Sequence, residues 1–383
     1  MIADPPSSSP RLGWKKTIIY SLLPALVLLA LLEGAARIVE IWIPPRQIDL
    51  GQGFDPRVRL FIPSPADPGL LVTNPDREAC FRKSQFPRRK PARNMRIFAL
   101  GESSVNYLDY EFPLLEKRLQ EQLAEKFDSV TIVNCGGLSY GSQRIMAIAA
   151  EVLQYDPDLI MLYCGHNEFE ELEQLAIADL RTLPLQRILS KSALCRFIRD
   201  RIASFQISQL QDEHNQRLLA AQPDSNKAWG HTFSPQEIAA RMAAFRNNIA
   251  IIIQMCRDRR VPIVIGSIPS NLINPYLTGE HAVKYKAIQD LFARGEHEKA
   301  LPLARDLLKN AGRHQSSDTE NGILRSLAAE YGIPLADVEA AIIAAEPHHV
   351  PGETLFNDHC HLNPKGNAIL CATYEKAILG LFR

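Results

Sequence analysis

The chain of 383 residues has no net charge: 43 lysines and arginines balance 43 aspartates and glutamates, with no long basic run. A polyanion finds no electrostatic footprint here, so no nucleic-acid partner is expected. A disulfide scaffold is also missing. The seven cysteines are odd in number, contain no CxxC pair and show no framework-like spacing. Cys135, Cys164 and Cys360 lie in apolar stretches or beside polar islands, where packed, unreacted thiols are expected. Helical periodicity is absent from Pro44 to Arg93, and strand signals are absent from about 170–228. What remains is 46% apolar, ample for a sizeable core.

Only one long run is free of charge and dominated by apolar residues. Thr17 to Leu32 carries no charge and follows Arg11, Lys15 and Lys16. At ~1.5 Å per residue it reaches about 24 Å, short of a hydrocarbon core of roughly 30 Å. Glu33 can snorkel to the interface, and Gly34-Ala35-Ala36 with Ile38-Val39 can lengthen the helix. The expectation is a cytoplasmic 1–16, a single transmembrane anchor over 17–36 and an extracytoplasmic remainder, as in a bacterial inner-membrane protein facing the periplasm. A cleaved signal peptide ending near Gly34-Ala35-Ala36 and a buried core helix are the alternatives.

Residues 37–94 read as a Pro-rich spacer with a small β element, Leu60-Phe61-Ile62 pairing with Leu70-Leu71-Val72 across Asp67-Pro68-Gly69. A main domain over 95–383 then alternates strand and helix. Arg96–Leu100, Val130–Val133, Leu159–Tyr163 and Pro262–Gly266 are short apolar runs. Between them lie helical patterns: Leu115, Leu119, Leu123 and Phe127 at four-residue steps, Ser142 to Gln154, and one opened by a capping box at Ser234-Pro235-Gln236-Glu237. Such alternation argues for an α/β fold with a parallel sheet covered on both faces. Two helical insertions interrupt it. One, at about 170–228, has the character of a lid; the other, at about 285–310, is a helix pair joined at Gly295-Glu296 whose role is local packing.

Four islands carry the chemistry. Ser103, in Gly101-Glu102-Ser103-Ser104, follows the first main strand and opens a helix, where unpaired N–H groups favour developing negative charge. Asn134-Cys135-Gly136-Gly137-Leu138-Ser139 ends the second strand. Asn167, in Gly165-His166-Asn167, ends the third. Asp358-His359-Cys360-His361 precedes a helix start at Asn363-Pro364. A carboxylate three residues before a histidine can fold back onto its Nδ1 and leave Nε2 free to take a proton. Taken singly, a helix-capping serine, an Asx turn and a satisfied polar histidine explain these residues as well. A metal set of His359 and His361 with His166 or Glu168 is a further alternative.

In order and spacing the islands resemble the blocks of the SGNH (GDSL-like) hydrolase superfamily. Gly165–Phe169 and Pro269-Ser270-Asn271-Leu272 resemble a membrane-anchored bacterial branch of it. The resemblance covers about Met95 to the C-terminus. It implies a three-layer α/β/α sandwich with a parallel, flavodoxin-like sheet, and a serine esterase needing neither metal nor organic cofactor. Ser103, Asp358 and His361 would be catalytic, and the N–H groups of Ser103 and Ser139 with the Asn167 amide would form the oxyanion hole. Two departures stand out: Glu102 replaces an aspartate, and Ser139 replaces a glycine. The substrate class expected is an ester-containing lipid, acylated glycan or small ester. Acyl transfer onto an envelope polysaccharide, or a silent membrane-tethered binding module, are the rival functions.

Overall fold

A computed structural model describes residues 14–43, 45, 53–54, 58–177, 183–201, 233–277 and 279–382. They fall into two compact units, one drawn from 1–50 and 180–215, the other from 51–179 and 216–383.

The first unit holds α1 (Trp14–Trp42), in which Tyr20–Trp42 is long and apolar enough to cross a membrane. Two shorter helices, α6 (Leu183–Leu189) and α7 (193–201), belong to the same unit. Glu33 does not simply reach for an interface. Its carboxylate accepts from Ser192 Oγ at 2.7 Å and from the N–H groups of Ala193 and Leu194 at 3.0 Å, which caps α7. Of the insertion expected as a lid, 183–201 therefore belongs with α1 and 170–177 with the other unit, while 178–182 and 202–228 lie outside the described residues.

The second unit is built on five parallel strands: β4 (Asn94–Gly101), β5 (Ser129–Gly136), β6 (Leu159–Tyr163), β7 (Ile263–Gly266) and β8 (Leu335–Ala336). They lie in the order β5-β4-β6-β7-β8. Every residue of β4, β6 and β7 is buried, which is why these strands read as near-continuous apolar runs without alternation, Arg96 excepted. The chain leaves β4 towards one edge and returns past it to β6, so right-handed crossovers place the flanking helices on both faces. Helix α3 (Phe112–Leu123) packs with α13 (Pro364–Phe382), which also carries α12 (Val338–Ala345). Helix α4 (Ser142–Val152) packs with α8 (Pro235–Asp258), which carries α11 (Asp318–Tyr331). The result is the three-layer sandwich with flavodoxin-like strand order.

The segment expected as a spacer is instead bound into this core. Antiparallel β1 (Phe61–Pro63) and β2 (Leu70–Thr73) form the expected pair, joined by a third strand, β3 (Gln85–Pro87). Phe61 meets Phe86 edge to face at 4.9 Å, and Phe86 meets Phe98 of β4 at 5.4 Å. The buried Glu151 carboxylate on α4 accepts the N–H groups of Leu60 at 2.7 Å and Phe61 at 2.9 Å. The packing boundary thus falls well before residue 94.

The other insertion is a helix pair, α9 (Gly279–Ala293) and α10 (His297–Lys309), starting earlier than expected. Tyr285, Ile288, Phe292, Ala300, Ala304 and Leu308 bury together with Leu272, Leu277 and Val350. Tyr285 also donates its hydroxyl to Leu272 O at 2.6 Å. This second core braces the loop that follows β7.

Candidate active site

In an open parallel sheet, ligands bind beyond the carboxyl ends of strands where the chain reverses its direction of travel. Here that point lies between β4 and β6. Gly101 ends β4, Glu102 is extended, and Ser103 opens the short helix α2 (Ser103–Asn106). Beyond β6 the loop Gly165-His166-Asn167 leads into α5 (Glu168–Ile177). The third contributor is the loop ahead of α13, closed on itself by a bridge between Phe356 and Leu362.

These loops converge on one hydrogen-bonded line. Ser103 Oγ lies 2.7 Å from His361 Nε2, and His361 Nδ1 lies 2.7 Å from Asp358 Oδ2. An ionised carboxylate only accepts, so Nδ1 carries the proton and donates to Asp358. Nε2 then holds the lone pair that accepts from the Ser103 hydroxyl. Asp358 Oδ1 also accepts the N–H groups of Cys360 at 2.9 Å and His361 at 2.8 Å. Burial opposes its charge, but the His361 bond and these two N–H donors hold its carboxyl well below the usual range. The carboxylate is therefore ionised at neutral pH. Tyr107 flanks the imidazole, with ring centroids 5.0 Å apart.

Asn271, from the loop after β7, fixes this histidine loop from outside. Its amide donates to Asp358 O at 2.9 Å, and its own N–H donates to His359 O at 3.0 Å. Its side-chain oxygen accepts from Ile273 and Asn274 N–H groups, so the residue is fully engaged. The motif Pro269–Leu272 thus contributes a brace, a role its sequence did not disclose.

Glu102 does the corresponding work on the serine side. The carboxylate is fully buried and accepts three consecutive N–H groups, those of Gly165 at 2.7 Å, His166 at 3.0 Å and Asn167 at 3.2 Å. Burial pushes its carboxyl well above the ordinary range, and the donated N–H groups work against that. Because Glu102 precedes Ser103, one side chain sets Asn167 relative to the serine. Gly165, at φ 148°, supplies the backbone angle this loop requires.

Of the expected oxyanion donors, Asn167 is buried and its amide makes one long contact, 3.4 Å to Tyr140 O. A second amide N–H is thereby left for another acceptor. Ser139 has φ 61°, the left-handed region that costs a side-chain-bearing residue roughly 1–2 kcal/mol. Its carbonyl accepts from the Arg144 guanidinium, and its hydroxyl bonds Glu170. A serine thus keeps a backbone shape that favours glycine. Gly136, three residues earlier, is set by close approach: a Cβ there would lie 2.2 Å from Asn106 N. Asn134 ties the same loop to α2, donating to the carbonyls of Val105 and Asn106 at 3.2 Å and, just beyond that helix, to Asp109 Oδ1 at 2.6 Å, and accepting from Gly136 N at 2.9 Å.

The metal alternative does not assemble from its own residues. His166 Nδ1 accepts from Ser316 N–H at 3.1 Å, and burial holds this imidazole well below its usual range, hence neutral. Glu168 accepts from Ser142 N–H at 2.7 Å and Ser142 Oγ at 2.9 Å, and pairs with Arg241. Among the described residues neither gathers its donor atoms with those of His359 and His361. Asp358, Cys360 and His361 do cluster, but the Asp358 and His361 atoms are those already bonded to each other. Burial pushes the Cys360 thiol up, away from the thiolate a metal needs. Cys135 and Cys164 are likewise buried and shifted upward by burial.

Beneath Asn167 lies a cluster that sequence reading missed. Glu171 accepts the N–H groups of Gly141, Gln143 and Arg144 at the start of α4 and pairs with Arg144 at 2.9 Å and Arg241 at 2.9 Å. The charges balance and the carboxylates have donors, as buried charge requires. Helical spacing alone gives no warning of it; only the run of acids opening α5 (Glu168, Glu170, Glu171) offers a hint.

No family model matches the chain, and no curated protein matches it. Among solved structures it is similar to the acetyl xylan esterase AlAXEase, at 13% identity over 74% of this chain and 100% of that one, with a TM-score of 0.39. It is also similar to a putative GDSL-like lipase from Parabacteroides merdae, at 12% identity over 77% and 100%, TM-score 0.41. A catalytic mutant of Axe2, an acetylxylan esterase from Geobacillus stearothermophilus, matches at 13% identity over 74% and 94%, TM-score 0.40. Likeness of this degree leaves the chemistry to be argued from the chain's own site.

Proposed function

We propose that the chain is a serine esterase of the SGNH (GDSL-like) superfamily, held at a membrane by α1. One observation carries the reading: Asp358, His361 and Ser103 stand in a single line of two 2.7 Å hydrogen bonds at the carboxyl end of the sheet. Ser103 Oγ attacks the ester carbonyl carbon as His361 Nε2 takes the hydroxyl proton. The carbonyl oxygen becomes an oxyanion held by the N–H groups of Ser103 and Ser139 and the Asn167 amide. His361 then protonates the departing alcohol, leaving an acyl-serine. Water, deprotonated by His361, attacks that acyl group, and Ser103 regains its proton as the acid leaves. Substrates are esters of a lipid, an acylated glycan or a small alcohol.

Hydrolysis of short p-nitrophenyl esters by the detergent-solubilised full chain tests this. Wild type and Ser104→Ala are expected to turn over, and Ser103→Ala is expected to fall to background. Equal activity in the two serine variants would end the assignment of Ser103.

A further inference from the structure

The charge-free run of α1 ends at Leu32, yet the apolar helix continues to Trp42. At ~1.5 Å per residue, Thr17–Leu32 covers about 24 Å of a roughly 30 Å hydrocarbon core. Where α1 spans a bilayer, the next turns, with Glu33 and Arg37, therefore fall at or just inside the boundary of that core. A lone carboxylate at that depth is costly unless it is partnered.

Its partners come from elsewhere in the chain. Glu33 pairs with Arg37 at 2.8 Å and caps α7 through Ser192, Ala193 and Leu194. Further along α1, Arg196 of α7 grips Glu40 with two bonds, Nε to Oε1 at 2.8 Å and a terminal nitrogen to Oε2 at 2.6 Å. Ala36 and Ala193, both buried, are small enough for the helices to approach closely beside these bonds. Helix α7 is thus bolted to the end of α1 at the depth of Glu33.

The outer surface of this attachment is apolar. Leu185, Ile188 and Leu189 on α6 are 57%, 64% and 46% exposed, and Ile198 on α7 is 48% exposed. Leu31, Ile38, Ile41 and Trp42 on α1, the helix to which α7 is bonded, are exposed as well. Lys191 and Arg201 are interspersed, with Arg199 paired to Asp200 at 2.8 Å, and the two exposed cations suit lipid headgroups above an acyl layer.

We propose that α6 and α7 form an interfacial membrane element: Leu185, Ile188, Leu189 and Ile198 enter the headgroup–acyl boundary of the leaflet at the C-terminal end of α1, where Glu33 and Glu40 lock them. The occupant of this apolar face is lipid. The proposal rests on the reading of α1 as a membrane span, which carbonate extraction tests separately.

Spin labels decide it. The full chain, with Cys80→Ser and Cys195→Ser and its other five cysteines buried, receives a single label at Ile188→Cys, Leu189→Cys or Ile198→Cys. A water-facing reference sits at Glu121→Cys on α3. Each is placed in nanodiscs of phosphatidylethanolamine and phosphatidylglycerol and relaxed with oxygen or with an aqueous nickel chelate. All three sites are expected to be more accessible to oxygen than to nickel, with the reverse at Glu121→Cys. Adding Glu33→Ala is expected to shift the three sites towards nickel. Greater nickel access in a carbonate-resistant chain overturns the interfacial element and spares the anchor. Low access to both reagents overturns it too, because protein then covers the face. Release of the chain by carbonate defeats the anchor itself.

Discussion

His361→Ala is expected to lower kcat/KM for an ester by at least about ten-thousandfold, roughly 5.5 kcal/mol of barrier. The size follows from what His361 touches. Its two ring nitrogens face Asp358 and Ser103, so the imidazole connects the carboxylate to the hydroxyl. Without it the serine hydroxyl keeps its ordinary reluctance to ionise, and no group is placed to protonate the leaving alcohol. The oxyanion donors survive, so the residual rate should still exceed that in water. The side chain is part-exposed, so the folded state should be little affected. Members of one catalytic unit do not add: Ser103→Ala with His361→Ala should be no slower than either alone. Initial rates on a chromogenic ester, alongside thermal melts, check both statements. A loss of only tenfold would mean that another base serves the serine.

Glu102→Ala is expected to be the most damaging single change to the fold around the site. It strands three buried N–H groups, each costing about 1–3 kcal/mol without an acceptor, so a loss of at least about 3 kcal/mol is expected. Glu102→Gln separates geometry from charge. Its remaining oxygen can still accept from Gly165 and Asn167, which share Oε1, but its amide would confront the His166 N–H that now donates to Oε2. The glutamine variant should therefore lie between wild type and alanine in stability. Both should lose turnover, because Asn167 and Ser103 are placed by the same side chain. Urea unfolding of the solubilised chain reads the first effect and kcat the second. A Glu102→Ala chain as stable as wild type would show that this carboxylate holds nothing in place.

These two residues also show what sequence can and cannot disclose. His361 was legible because its partner Asp358 is three residues away and its loop ends at a recognisable helix start, Asn363-Pro364, where Asn363 Oδ1 does accept from Lys365 and Gly366. The strands β4, β6 and β7 were legible because strands buried on both faces read as near-continuous apolar runs. The capping box at Ser234 was legible because both of its bonds are local. Glu102 could be seen as a departure from a family pattern but not as a brace, since its three donors lie more than sixty residues downstream. The same holds for Arg96, a charge inside a buried strand whose guanidinium is satisfied by the carbonyls of Tyr155 and Pro87. Glu33, whose partners on α7 stand about 160 residues away, looked like a residue seeking solvent. Short strands escaped for another reason: β3 buries one side chain, Phe86, and β8 has two residues, too few to show a period. For Glu102, Arg96 and Glu33 the missing information is a tertiary partner, which no local pattern encodes.

The most direct measurement treats the full chain with a fluorophosphonate and locates the adduct by peptide mass spectrometry. One phosphonylated residue is expected, Ser103, with labelling abolished in Ser103→Ala, slowed at least about a hundredfold in His361→Ala and retained in Ser104→Ala. An adduct on any other residue, or labelling that proceeds at full rate without His361, would contradict the assignment of these two residues.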